Sequence, residues 1–231
     1  MNVAVIVAAG SSSRMGGIDK MFIEIAGKPL IVHTLQRFDI SNSIDLIVLV
    51  VRKENQNKFQ SVVSGLRLNT KIMIVEGGEE RQDSVWNGLN AFPFQSQVVL
   101  IHDGARPCTH PKIIKELIIA ANEYGAAVPA TKITDTLKES NNGITITKTV
   151  DRSLLWAVQT PQAFKPKIIL KALKKIKECG VIVTDDAAAC EFINQPVRLI
   201  ECKWPNPKVT YPHDIPYIEW LLTQQNQDIN V

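Results

Sequence analysis

The chain has no cysteine pair at C-x-x-C spacing, and no histidine cluster accompanies its four cysteines, Cys108, Cys179, Cys190 and Cys202. Ligands at zinc-site spacing are missing, so no structural zinc is expected. The thiols read as reduced groups of a cytoplasmic protein, with a disulfide as the open alternative. No apolar run approaches the roughly 20 residues of a membrane span. The first apolar run lacks a basic lead and ends in a polar loop, so a strand is expected there rather than a signal peptide. Charge of one sign is also missing: Lys+Arg total 26 against 23 Asp+Glu, a net +3. That excess is too slight for the basic face that nucleic acid requires. Internal repeats and low-complexity tracts are absent, and only the tail after Leu222, TQQNQDINV, looks loose.

What is present is an ordinary globular composition, 45% hydrophobic and 21% charged over 231 residues. That is enough for one large α/β domain or two small ones. The opening stretch organises the rest. Val3-Ala4-Val5-Ile6-Val7 reads as a strand buried on both faces, as in a parallel sheet. Ala8-Ala9-Gly10-Ser11-Ser12-Ser13 follows, with Arg14 and Lys20 beyond. Small residues let the backbone approach a ligand, and successive N–H groups in such a turn form an anion nest. With two cations in the same loop, the stretch suits a polyphosphate. A dinucleotide fingerprint starting at Gly10 would need glycine at Ser12 and Met15, and no G-K-[ST] closes a P-loop.

Further strands are expected over Leu46–Val51, Lys71–Glu76, Gln97–Ile101, Ala126–Ala130 and Val197–Cys202, with a short one over Met21–Ile25. Helices are expected from Pro29 through Phe38, over Lys53–Leu66, Ser84–Ala91, Pro111–Tyr124 and Pro166–Cys179, from the Thr184-Asp185-Asp186 cap through Asn194, and from Pro212 through Leu222. This alternation is the α/β signature. The paired glycines Gly77-Gly78 fall at a strand end and allow close contact with a planar base. At Asp83 and Ser84, a cap on the next helix and a ligand contact are both open readings. Asp103 ends a buried strand, where a single carboxylate suits Mg²⁺ with phosphate oxygens. After Pro129 the pattern changes: Asn142-Gly143 and the β-branched run Ile144–Val150 predict a hairpin that must pack on another surface. The lysines of the Pro166–Cys179 helix read as a solvated face. At Thr184-Asp185, a helix cap and a phosphate site are both open.

Assembled in order, the chain resembles the 2-C-methyl-D-erythritol 4-phosphate cytidylyltransferases. The motifs are AAGSSSRMG with Lys20, GGEERQDSV, HDGARP, DTLK, RSLLWAVQTPQAF, TDDAA and NPKVT, and they run through nearly the whole chain. The resemblance implies one Rossmann-like α/β domain over 1–231: a mostly parallel twisted sheet flanked by helices, with a protruding β-hairpin arm at about 135–150. It implies a homodimer through that arm, CTP and a sugar-alcohol phosphate as substrates, and Mg²⁺ held by Asp103. Arg14, Lys20, Arg152 and Lys208 would be the catalytic cations. Ala8, Ala9, Gly10, Ser11, Ser12, Ser13, Gly77, Gly78, Glu79, Ser84 and Asp103 would bind nucleotide. Arg106, Thr136, Arg152, Thr160 and Thr184 would bind the acceptor. The chain departs from the family pattern at Asp19, where proline is usual, at Gly104, where alanine is common, and at Pro207, which replaces an apolar residue. The alternatives are a ribitol 5-phosphate cytidylyltransferase, an NADP-binding module using Arg52 for the 2′-phosphate, and a structural dimer built on the hairpin.

Overall fold

The computed structural model describes residues 1–12, 15, 19–92 and 96–229, with side chains through 225. Its centre is a sheet of eight strands: β1 (Asn2–Val7), β2 (Leu46–Val51), β3 (Lys71–Glu76), β4 (Val98–Asp103), β5 (Ala126–Lys132), β6 (Trp156–Val158), β7 (Gln162–Phe164) and β8 (Arg198–Glu201). The spatial order is β6-β5-β7-β4-β1-β2-β3, with β8 on β5. Strands β3, β2, β1 and β4 are mutually parallel, and β8 runs parallel to β5. Strand β7 is antiparallel to both β4 and β5, and β6 is antiparallel to β5. Because β1 has β2 on one side and β4 on the other, the strand order reverses there, and a crevice opens at the carboxyl ends.

Among the described residues, seven helices cover the two faces: α1 (Leu30–Ile40), α2 (Gln56–Ser64), α3 (Arg81–Asn90), α4 (Pro111–Tyr124), α5 (Pro166–Glu178), α6 (Asp186–Phe192) and α7 (Ile215–Ile229). Side chains alternate across a strand, and the core divides accordingly. Ala4, Ile6, Ile47, Leu49, Val98 and Leu100 join α1, α4 and α7 on one face. Val3, Val5, Val48, Val50, Val99 and Ile101 join α3, α5 and α6 on the other. Each fully buried branched side chain contributes about 1.5–3 kcal/mol, which is why these strands read as unbroken apolar runs. The α5 lysines Lys171, Lys174, Lys175 and Lys177 are exposed while Ile169, Leu173 and Ile176 are buried. All four cysteines are free thiols. Among the described residues, no helix is long and apolar enough to cross a membrane.

Several boundaries differ from the sequence expectations. Strand β4 continues through His102 and Asp103, because its ladder with β1 extends to Ile6↔His102 and Val7↔Asp103. Helix α3 starts at Arg81 rather than Ser84, its first turn closed by Asp83 Oδ2 accepting from the Glu80 N–H at 3.3 Å. Lys20–Phe22 form a 3₁₀ turn instead of a strand, with Asp19 Oδ1 accepting from Met21 N–H at 3.1 Å. Only Glu24–Ile25 pair with Lys28–Pro29, around a turn where Ala26 and Gly27 have positive φ. The arm is a narrow ribbon, with Lys138–Glu139 paired to Lys148–Thr149. Helix α7 runs past Leu222 to Ile229, so much of the supposedly loose tail is helical.

Helix α3 lies close on the sheet through Gly88, where a Cβ would stand 2.5 Å from Val5 Cγ1 and 2.8 Å from Val50 Cγ2. Both valines are fully buried and have nowhere to retreat. Gly88→Ala is therefore expected to destabilise the protein by about 1–3 kcal/mol through overpacking, despite alanine's better helix propensity. Urea unfolding checks this, and an unchanged or raised midpoint would contradict it.

Candidate active site

The carboxyl ends of the four parallel strands converge on a cleft of about 440 Å³. Val7 through Ser11 come from the exit of β1, and Arg52 from that of β2. Gly78, Glu79, Glu80, Arg81 and Ser84 come from the exit of β3, and Asp103, Gly104 and Ala105 from that of β4. Lys20, Met21 and Lys208 complete the lining. The β3 exit is tight: a Cβ on Gly77 would sit 2.7 Å from Ala9 Cβ, and one on Gly78 would sit 2.3 Å from Asp83 Cβ. Ser84, 2% exposed, holds this turn by accepting from Gly78 N–H at 3.1 Å.

Charge gathers around Asp103. Its Oδ2 lies 2.7 Å from Lys208 Nζ and 3.8 Å from Arg106 Nε, and its Oδ1 lies 3.4 Å from Arg81 Nε. Burial opposes ionisation of this carboxyl, but Arg81 and Lys208 outweigh it and hold its pKa well below the usual carboxylate range. The other end of the Arg81 fork reaches Asp186 at 2.7 Å, a carboxylate 1% exposed at the start of α6. Burial works against the guanidinium charge, and Asp186 with Asp103 overcomes it, raising the Arg81 pKa. His102 lies behind the cleft with no exposed surface, and burial pushes its pKa down to about 3, so the ring is neutral. The loop bearing Lys208 is pinned on both sides of Val209: its N–H donates to Ala105 O at 2.9 Å, and its carbonyl accepts from Lys20 Nζ at 2.8 Å. Among the described residues, no group of three or more His, Cys, Asp and Glu side chains is placed to hold a metal. A single strand-end carboxylate in a cleft still suits Mg²⁺, which takes one or two carboxylates and completes its shell with water and phosphate oxygens.

Comparison with known proteins agrees with this geometry. The family model for 2-C-methyl-D-erythritol 4-phosphate cytidylyltransferase (IspD) matches residues 2–224. The chain belongs to this family. The enzyme of that name from Geobacillus kaustophilus is 43% identical over 223 residues, covering 96% of this chain and 97% of the relative. That from Dehalococcoides mccartyi is 44% identical over 219 residues, covering 95% of each. The solved structure of 4-diphosphocytidyl-2C-methyl-D-erythritol synthase from Anaerococcus prevotii superposes with a TM-score of 0.84 at 31% identity, covering 96% of this chain and 98% of the other. The Thermus thermophilus cytidylyltransferase gives 0.78 at 29%, covering 96% and 100%.

Of the residues that the family resemblance singles out, Ala8, Ala9, Gly10, Ser11, Lys20, Gly78, Glu79, Ser84, Asp103 and Lys208 line one cleft. Gly77 stands behind it against Ala9. Ser12 Oγ accepts from Lys20 N–H at 3.4 Å. Ser13 and Arg14 lie outside the described residues. Arg106 sits at the cleft's edge, donating to Asn206 O at 2.6 Å. Thr136, Arg152 and Thr184 are exposed and outside the cleft lining, with Arg152 donating to Thr134 O. At the start of α6 the cap is Asp185, whose Oδ1 accepts from Ala188 N–H at 2.9 Å. Thr160, expected at the acceptor, is 5% exposed with its hydroxyl bonded inside the protein to Asp103 N–H and His102. The Asp19 carboxylate accepts from Asn55 Nδ2 at 2.6 Å and lies 3.5 Å from Arg52. Arg52, the alternative 2′-phosphate ligand, thus pairs with Asp19 and Glu54.

Sequence reasoning missed Arg81. The signal was available in a cation just after Gly77-Gly78, where a helix opening beside the β4 exit aims its first side chain at Asp103. Arg81→Met is expected to cost about 3 kcal/mol, because it removes the cation from buried Asp186. Adding Asp186→Asn should recover most of the loss in urea unfolding. A double variant as unstable as the sum of both single ones would count against the pair.

Proposed function

We propose that the chain transfers the cytidylyl group of CTP to 2-C-methyl-D-erythritol 4-phosphate, giving 4-diphosphocytidyl-2-C-methyl-D-erythritol and pyrophosphate. Membership of the cytidylyltransferase family along almost the whole chain carries this reading. An oxygen of the acceptor phosphate attacks the α-phosphorus, the new P–O bond forms, and the bond to the β-phosphate oxygen breaks in line. A phosphate monoester is already ionised near neutral pH, so no strong general base is required. The protein's task is to bring two anions together and offset charge at the transition state. Lys20 and Lys208 line the cleft for that purpose. By its place in the sequence, Arg14 joins them. The small residues at the β1 exit meet the phosphates, while Gly77, Gly78, Glu79 and Ser84 meet the base.

Asp103 is the carboxylate that would hold Mg²⁺. A divalent ion there supplies further neutralisation of phosphate charge. Arg152 and Thr184 take the acceptor phosphate, with Arg106 and Thr136 contributed across a homodimer formed by the arm. The arm's exposed apolar side chains, Ile144 at 88% and Ile146 at 61%, support a partner surface there. A cytoplasmic location fits the free thiols.

The deciding assay is pyrophosphate release from CTP and Mg²⁺, with 2-C-methyl-D-erythritol 4-phosphate and ribitol 5-phosphate in parallel. Release with the first alone is expected, and release only with the second would move the enzyme to another polyol phosphate. Lys20→Ala should lower turnover at saturating CTP by about 10²–10³-fold, by analogy with lost electrostatic donors. Near-normal turnover would remove Lys20 from the catalytic set.

A further inference from the structure

A lysine reaches its ligand along a flexible stem, so the place of Lys20 in the cleft depends on the short turn that carries it. That turn, Lys20–Phe22, closes with Phe22 N–H donating to Asp19 O at 3.1 Å and Ile23 N–H donating to Lys20 O at 3.2 Å. The segment that follows β2 grips it at two points. The first is the Asp19 carboxylate. Its Oδ1 accepts from Met21 N–H at 3.1 Å, while its Oδ2 accepts from Asn55 Nδ2 at 2.6 Å and lies 3.5 Å from Arg52 Nη2. One carboxylate thus ties the backbone of the Lys20 turn to the exit of β2. The second point is the Phe22 ring, which packs on Phe59 with centroids 4.6 Å apart and has Lys58 Nζ 3.8 Å from its centre. The Asp19 side chain is only 13% exposed, so its charge-assisted bonds act largely out of water, where they are strongest.

The backbone at Asp19 supplies an independent observation. Its φ is −70°, inside the range of about −65 ± 15° that a proline ring enforces. Proline is the usual residue at this position in the family, and here the ring is replaced by a carboxylate shared among Met21 N–H, Asn55 and Arg52. We propose that Arg52 and Asn55 are positioning residues for the transfer reaction, acting through Asp19 on Lys20, and that this clasp supplies by side-chain bonds the restraint that proline supplies covalently. This rests on the cytidylyl-transfer reading above. Because Arg52 also lines the cleft, the test must separate a positioning residue from a direct nucleotide contact.

Asn55→Ala removes the 2.6 Å bond, and Arg52→Met removes the cation. With CTP, Mg²⁺ and 2-C-methyl-D-erythritol 4-phosphate, each is expected to lower kcat/KM for CTP about 10-fold while the acceptor KM holds. Asp19→Ala has neither clasp nor ring and should lose about 100-fold, the cost of a misplacement of about 1 Å. Asp19→Pro should recover most of that loss, and in its background Asn55→Ala and Arg52→Met should cost nothing further. An Arg52→Met loss that persists in full beside Asp19→Pro would make Arg52 a nucleotide contact and overturn the proposal, as would unchanged kinetics in Asn55→Ala. A second measurement needs no turnover: hydrogen exchange at the Met21 amide, which should be slow in the wild-type protein and about 10-fold faster in Asn55→Ala. Equal rates in the two proteins would overturn the clasp, and Arg52→Met reads the same amide if Asn55→Ala fails to fold. If the wild-type protein gave no pyrophosphate with either acceptor, the activity reading would fail, and the exchange rates would still decide the clasp.

Discussion

A carboxylate delivered by a buried strand into a ring of cations is the constraint on which the site depends. Asp103 meets Lys208, Arg106 and Arg81, which come from three separate stretches of chain. Three cations so close together would repel one another, and Asp103 gives them a common counter-charge. The low pKa that they impose keeps this carboxylate ionised throughout the physiological range. The surroundings follow from that requirement: an interior strand to bring the carboxylate in, helix α1 bonding Gly104 O through Thr34 at 2.8 Å, and the Lys208 loop pinned at Val209.

Much of the fold was legible because the physics was local. Buried parallel strands need apolar residues on both faces, so β1 and β2 stood out as unbroken runs, and proline and glycine marked where helices begin and end. The cleft was legible where one segment supplies several of its features, as at Ala8–Ser11 and Gly77–Ser84. What escaped was relational. The extra residues of β4 are held by a ladder to β1, which no local pattern reports. Thr160 was expected at the acceptor from the resemblance alone, and no local pattern reports that the partners of its hydroxyl lie 57 and 58 residues away in the chain. Arg81 was read as part of a motif and not as a bridge, because Asp186 lies 105 residues further on.

The departures at Asp19 and Pro207 are absorbed rather than disruptive. Asp19 caps the short turn that carries Lys20 and sends its charge to Arg52 and Asn55, so the added anion is balanced within the frame of the loop. Pro207 stands between Asn206, whose Nδ2 donates to Thr160 O at 2.7 Å, and Lys208, paired with Asp103, where a residue with restricted φ suits a loop fixed at both sides.

The reversed strand β7 has a temporal consequence. Running antiparallel to β4, it begins at the end where β4 finishes, and so brings Thr160 beside Asp103. Lys208 arrives later still, 105 residues after Asp103. During synthesis from the N-terminus, the segments at the exits of β1 to β4 that line the cleft emerge early. The carboxylate at their centre acquires its lysine only after a further 105 residues have been made. A nascent protein therefore has most of the walls of its cleft well before it has the charge pair within them.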